Sequence, residues 1–183
     1  MHVGWTAIAT CAALVIAAAI CDIASRHIPN WLTLGALLLG LGLHTAVGIV
    51  DGGFAGAARG AAQSAAGVLV CGLVPVISFA RNQMGGGDVK LFAAIGALCG
   101  PALGFDVEAF TFLVLMGAVL PWRLVRNGAL AASLNNGATM VRNAFLPADR
   151  RLPYAEVKLP PVIMAPAVVV GLAIALLTRG MVP

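Results

Sequence analysis

Six apolar runs, each near the length of a bilayer-crossing helix, recur along this chain at roughly 3–21, 31–50, 61–80, 89–104, 106–122 and 161–178. A helix needs about 20 apolar residues to cross the hydrocarbon core. A water-exposed fold has no place for so many such runs. Hydrophobic residues make up 61% of the 183 residues and charged residues only 10%, against about 25% charged in soluble domains. The expected fold class is all-α: a polytopic transmembrane helical bundle of about six spans, forming one membrane-embedded domain over 1–183. The first run has no basic segment in front of it, and a second run follows closely. It therefore reads as a retained helix and not as a cleaved signal peptide.

The gaps between runs set the orientation. Arg26 lies in the first gap. Arg81 lies in the third, with Lys90 just beyond it. Arg123, Arg126, Arg142, Arg150, Arg151 and Lys158 lie in the fifth. Nine of the eleven basic residues thus fall on one side, and only Arg59 and Arg179 on the other. Positive charge marks the cytoplasmic side, so the N-terminus is expected outside. In the long fifth gap, Leu130, Leu134, Val141 and Phe145 share one helical face flanked by Arg126 and Arg142. That pattern predicts an interfacial helix on the cytoplasmic leaflet.

Several function classes find no support. The net charge of +4 is spread through short gaps and matches no nucleic-acid-binding module. Cys11, Cys21, Cys71 and Cys99 form no CxxC pair and read as small buried residues. His2, His27 and His44 are scattered, with no HExxH or GxSxG.

Five of the seven acids, Asp51, Asp106, Glu108, Asp149 and Glu156, read as solvated loop charges. Asp22 ends the first run and Asp88 begins the fourth. Two spans separate them, so both lie on one membrane face whichever face that is. The charge bias makes it the cytoplasmic one. Ionisable groups at the edge of the hydrocarbon are costly and are functional candidates by default.

The surroundings of each acid also carry meaning. Gly85, Gly86 and Gly87 precede Asp88. Glycine allows positive φ and close backbone approach, so the triplet is expected to leave room for an extended peptide beside Asp88. Asp88 itself suits a helix N-cap. Downstream of Asp22, Pro29 pushes His27-Ile28 toward extended structure and opens the next helix, with Asn30 as a candidate cap.

These residues resemble a known family. Asp22, followed after five residues by Ile28-Pro29-Asn30, and the Gly-x-Gly-Asp of Gly85 to Asp88 with Lys90 behind it, are similar to the two signatures of the type IV prepilin peptidases. These are polytopic aspartic proteases of the bacterial inner membrane, with archaeal preflagellin peptidase relatives. The resemblance covers roughly 5–125. Pro153-Tyr154-Ala155 resembles the family's Pro-Tyr element before the last span, with extra residues before Ala165-Pro166. The resemblance implies that Asp22 and Asp88 are the catalytic pair, with Gly85, Gly86, Gly87, Ile28, Pro29, Asn30 and Lys90 shaping the site or binding substrate. It implies pilin-like precursors as substrates: a short basic leader ending in Gly, then a hydrophobic helix, cut at the cytoplasmic boundary. The pilus assembly machinery is the implied further partner. Larger members carry an N-terminal region with paired CxxC motifs and N-methylate the trimmed pilin. This chain resembles the short form found with tight-adherence (Flp-type) pili, and methyltransferase activity is not expected.

Two adjacent carboxylates share a proton, one acting as base toward water while the other polarises the scissile carbonyl. No metal or cofactor is needed for that chemistry. The helix dipole favours the anion at Asp88, which opens a helix, over Asp22, which closes one. The rival from another class is a small proton- or cation-coupled transporter or channel using the same acids. It would need polar groups near mid-membrane, and those are few, chiefly His44 and Thr45.

Overall fold

The computed structural model describes residues 4–147, 150–157 and 162–180; Asp149 and Lys158 lie outside the described residues. Those residues are mostly helical, with no strand among them. The elements are α1 (Trp5–Ser25), α2 (Asn30–Ala80), α3 (Gly86–Val114), a π-helical turn at Leu115–Val119, α4 (Leu120–Arg126), α5 (Leu130–Ala144) and α6 (Ala165–Thr178). Three helical stretches are long and apolar enough to cross a membrane: Trp5–Ser25, Asn30–Ala80 and Gly86–Arg126. Ala165–Thr178 is apolar but shorter. The chain divides into two compact units, one of residues 1–112 with 163–183 and one of residues 113–162.

In the first unit, two of the helices fold back on themselves. α2 breaks at Gly52 and Gly53, where Gly53 has φ 59° and ψ −140°. α3 breaks at Gly100, with φ 73° and ψ 175°, just before Pro101. Both positive φ values favour glycine. The legs on either side of each break lie antiparallel and in backbone contact. A Cβ on Gly48 would fall on the carbonyl of Gly56, and one on Gly60 on the carbonyl of His44. Across the second break, a Cβ on Gly104 would sit 3.2 Å from the Cα of Gly96. The unit therefore holds six helical legs: α1, 30–51, 54–80, 86–99, 101–112 and α6. The second break falls inside the run expected over 89–104, because Gly100-Pro101 turns the chain before the polar residues after Gly104 are reached.

Glycine contacts and a few polar bonds join the legs. Gly67 and Gly96 lie so close that a Cβ on either would meet the other's carbonyl. Gly40 packs on the backbone of Ala97, where an added Cβ would be 2.6 Å from the carbonyl carbon. Ser64 Oγ donates to the Ala97 carbonyl at 3.0 Å, and His44 Nε2 lies 3.0 Å from the Leu98 carbonyl oxygen. Thr45 Oγ1 donates to Leu41 in its own helix. The two mid-span polar residues are thus occupied in helix contacts. In an apolar solvent, close packing and interhelical hydrogen bonds hold helices together, and small residues at the seams allow both.

α1 packs against α6 and α2. Its seam with the first leg of α3 is marked by Cys11 and Cys99, whose buried thiols lie within interaction range of each other. Asp106 and Arg179 form an ion pair at 2.6 Å that ties the middle of 101–112 to the end of α6.

In the second unit, Leu134 and Val141 on α5 and Phe145 at its C-cap are exposed apolar residues. Asn136 and Asn143 each grip the extended segment 150–157 by two hydrogen bonds. Asn136 holds the backbone of Ala155, and Asn143 that of Leu152, at 2.7–2.9 Å. Seven residues of helix rise about as far as three of extended chain, roughly 10 Å. That match lets both side chains read one strap. Arg126 lies over the Trp122 ring at 5.1 Å.

The seams predict a selective intolerance. Gly67→Leu should abolish accumulation of folded, monodisperse protein in detergent. Gly42→Leu, at an exposed position with nothing within 4 Å of the added Cβ, should accumulate as wild type. Size-exclusion profiles of the two variants make the comparison.

Candidate active site

Asp22 lies in the last turn of α1 and Asp88 in the first turn of α3. Both side chains are half-buried. The two helices meet in antiparallel register. Cys11 precedes Asp22 by eleven residues and Cys99 follows Asp88 by eleven, about three turns and about 16 Å in each case. Contact between the thiols at one level therefore brings the two acids to a common level at the end of the seam. The charge of Asp22 is felt at Asp88.

Each carboxylate is held by backbone. α3 begins at Gly86, so Asp88 is its third residue and not its cap. Its side chain folds back toward Gly85, the residue just before the helix, as an N3 acid does in a capping box. Asp22 Oδ2 accepts the N–H of Ala165, the first residue of α6, at 3.2 Å. Both acids thus face a helix N-terminus. The dipole argument that favours the anion at Asp88 over Asp22 loses its basis, because α6 supplies at Asp22 what α3 supplies at Asp88.

The remaining sequence candidates gather at the same end. Arg26, with φ 52°, closes α1. Ile28 is buried. Pro29 occupies the N-cap of α2 with φ −61°. Asn30 is the first helical residue and makes no cap; its Oδ1 instead accepts the Lys90 ammonium at 2.8 Å. Lys90 and Asn30 border an apolar groove of about 290 Å³ lined also by Thr33, Leu34, Leu37 and Ala93. Two residues turn a helix by about 200°, so this groove opens on the side of α3 away from Asp88.

None of Gly85, Gly86 and Gly87 has positive φ; the left-handed residue entering this segment is Asn82, with φ 56°. The space around the three differs. A Cβ on Gly85 would lie 3.3 Å from Asp88 Oδ2, one on Gly86 would lie 3.5 Å from the Phe79 ring, and one on Gly87 would lie 3.6 Å from Ile28. Gly86 and Gly87 thus face the chain's own side chains. Gly85 faces the carboxylate.

Glu108 departs from expectation. It is not a solvated loop acid: it is 3% exposed, and neither carboxyl oxygen has a hydrogen-bond partner. The turn at Gly100 places it two turns into the next leg, which the Gly-Pro pair signals in the sequence. The Ala165 N–H had no sequence signal, since any residue there but proline supplies one. Among the described residues, no group of three or more His, Cys, Asp and Glu side chains is placed to hold a metal ion.

The model of the type IV leader peptidase family matches residues 9–141. The chain belongs to the type IV leader peptidase family. The matched span includes Asp22, Asp88 and every glycine seam described above. Comparison with curated proteins and with solved structures returns no match. The all-helical fold and its long apolar helices suit a membrane-embedded peptidase.

The geometry separates the three glycines. Gly85→Ala, which crowds the Asp88 carboxylate, should lower peptidase activity at least about tenfold, whereas Gly86→Ala and Gly87→Ala should stay within about threefold of wild type. Gly87→Leu should push α3 off Ile28 and impair activity while the protein still inserts. Activity assays on membranes with matched protein levels distinguish the four variants.

Proposed function

We propose that this leader peptidase is an aspartic endopeptidase in which Asp22 and Asp88 activate one water between them. The observation that carries the reading is the convergence of the two carboxylates at one end of the α1–α3 seam, each against a helix N-terminus, in a chain of this family. One carboxyl accepts the proton of the attacking water while the other, protonated, hydrogen-bonds the scissile carbonyl oxygen. The tetrahedral intermediate then collapses with proton transfer to the leaving amine, and no covalent enzyme intermediate forms. The N–H groups of Gly85 and Ala165 hold the acids in place.

The substrates proposed are pilin-like precursors with a short basic leader, cut after Gly and before the hydrophobic helix. Each of the six legs crosses or enters the bilayer, with the aspartates at the cytoplasmic face of a bacterial inner membrane and α5 lying in the cytoplasmic leaflet. The charge bias supports this orientation. So does the Asp106–Arg179 pair, which gathers two residues assigned to the opposite side. The rival transporter reading has the buried Glu108 in its favour. His44 and Thr45, its other mid-membrane candidates, are engaged in helix contacts, and family membership carries the peptidase reading.

Co-expression with a pilin precursor tests the proposal. Wild type should trim the leader, and Asp22→Asn and Asp88→Asn should each slow trimming at least about 100-fold without loss of protein from the membrane. Full trimming by either variant contradicts the paired-acid mechanism.

A further inference from the structure

Glu108 is a buried ionisable residue that the proposed chemistry leaves unused. Both of its oxygens are buried without a partner in an apolar interior, where an unpaired carboxylate is costly. Its surroundings come from the second legs of α2 and α3. A Cβ on Gly104 would lie 2.6 Å from Cys71 Sγ, and Cys71 and Glu108 interact electrostatically. Residues 54–80 run antiparallel to 86–99, so they run parallel to 101–112. One turn beyond the Cys71–Gly104 contact, Pro75 on one leg stands level with Glu108 on the other.

Pro75 is fully buried inside α2. It has no N–H, so the carbonyl of Cys71, four residues earlier, loses its intrahelical partner. Membrane helices tolerate such a proline where a neighbour satisfies the freed carbonyl. This level of the bundle therefore holds a carboxyl without a partner and a carbonyl that has lost its helical donor. Two bare acceptors cannot bond, but a carboxylic acid can donate to a carbonyl.

We propose that Glu108 is a positioning residue whose carboxyl O–H donates to the Cys71 carbonyl freed by Pro75. The bond fixes α2 at its proline, five residues before Ala80. It thereby fixes the direction in which α2 delivers the chain, through 81–85, to Asp88. Glu108 touches no substrate and acts through α2. The bond stands on packing alone, whereas its effect on catalysis rests on the proposed peptidase activity.

Thermal melting of the purified protein in detergent tests the bond. Glu108→Ala should lower Tm by roughly 3–6 °C. Glu108→Gln, whose amide donates to the same carbonyl, should stay within about 1 °C of wild type. Pro75→Ala returns an N–H to Cys71, so in that background Glu108→Ala should leave Tm unchanged or raise it. If Glu108→Ala does not accumulate, Glu108→Met, of similar length and without a donor, makes the same comparison with Gln. Equal losses for the donor and non-donor variants, or equal losses in both backgrounds, overturn the bond.

Precursor cleavage tests the positioning. Glu108→Ala should lower kcat with KM unchanged, and Glu108→Gln should restore it. Wild-type kcat in the Ala variant overturns the positioning role. If wild type itself cleaves no precursor, the peptidase reading and the positioning role fall together, while the melting comparison still decides the bond.

Discussion

Backbone-to-backbone contact through glycine is the interaction on which the first unit depends. Lipid offers helices no hydrophobic reason to associate, so they must approach closely enough for dispersion and polar bonds to hold them. Gly48 with Gly56, Gly60 with His44, and Gly67 with Gly96 provide that approach. The turns at Gly53 and Gly100 convert two long helices into four legs. An even number of legs then separates the end of α1 from the start of α3. That parity, and not any local attraction between like charges, returns Asp88 to the level of Asp22.

Bringing two acids together at the edge of an apolar bundle is unfavourable unless the fold compensates. Here the compensation comes from peptide groups at two helix starts, Gly85 before α3 and Ala165 at the head of α6. These dipoles are fixed by the helices that carry them, so they need no rearrangement when charge moves during a reaction. The same logic explains the glycines before Asp88. Gly85 gives the carboxylate room to fold back on its own helix start, whereas Gly86 and Gly87 face Phe79 and Ile28 at distances that leave space for one more carbon.

Much of this was legible in the sequence, because apolar runs and their interruptions report directly on a fold whose solvent is hydrocarbon. The helical class, the family, and the placement of Asp22 and Asp88 on opposite ends of an even number of legs followed from run lengths and motif residues. Position along a leg was harder to read. Asp106 and Glu108 look alike in the sequence, yet Asp106 reaches Arg179 at the surface while Glu108 turns inward beside Cys71. The difference lies in the exact residue where the chain reverses, and a Gly-Pro pair inside an apolar run gives only a faint sign of it. Asn30 has a typical capping side chain, but Pro29 takes the cap and Lys90, distant in sequence, claims the amide. Backbone donors such as Ala165 N–H are silent in any sequence, since nearly every residue has one.

The α1–α3 seam brings Asp22 and Asp88 together at one end of the bundle. Thiol cross-linking in native membranes tests it most directly, using protein in which Cys11, Cys21, Cys71 and Cys99 are replaced by alanine. Asp22→Cys with Asp88→Cys should be joined within one chain by a short bifunctional thiol reagent. Asp22→Cys with Asp106→Cys, which places the second thiol beyond the Gly100 turn, should not be joined. Failure of the 22/88 pair to link, when each cysteine alone reacts with a monofunctional reagent, would contradict the convergence of the two positions.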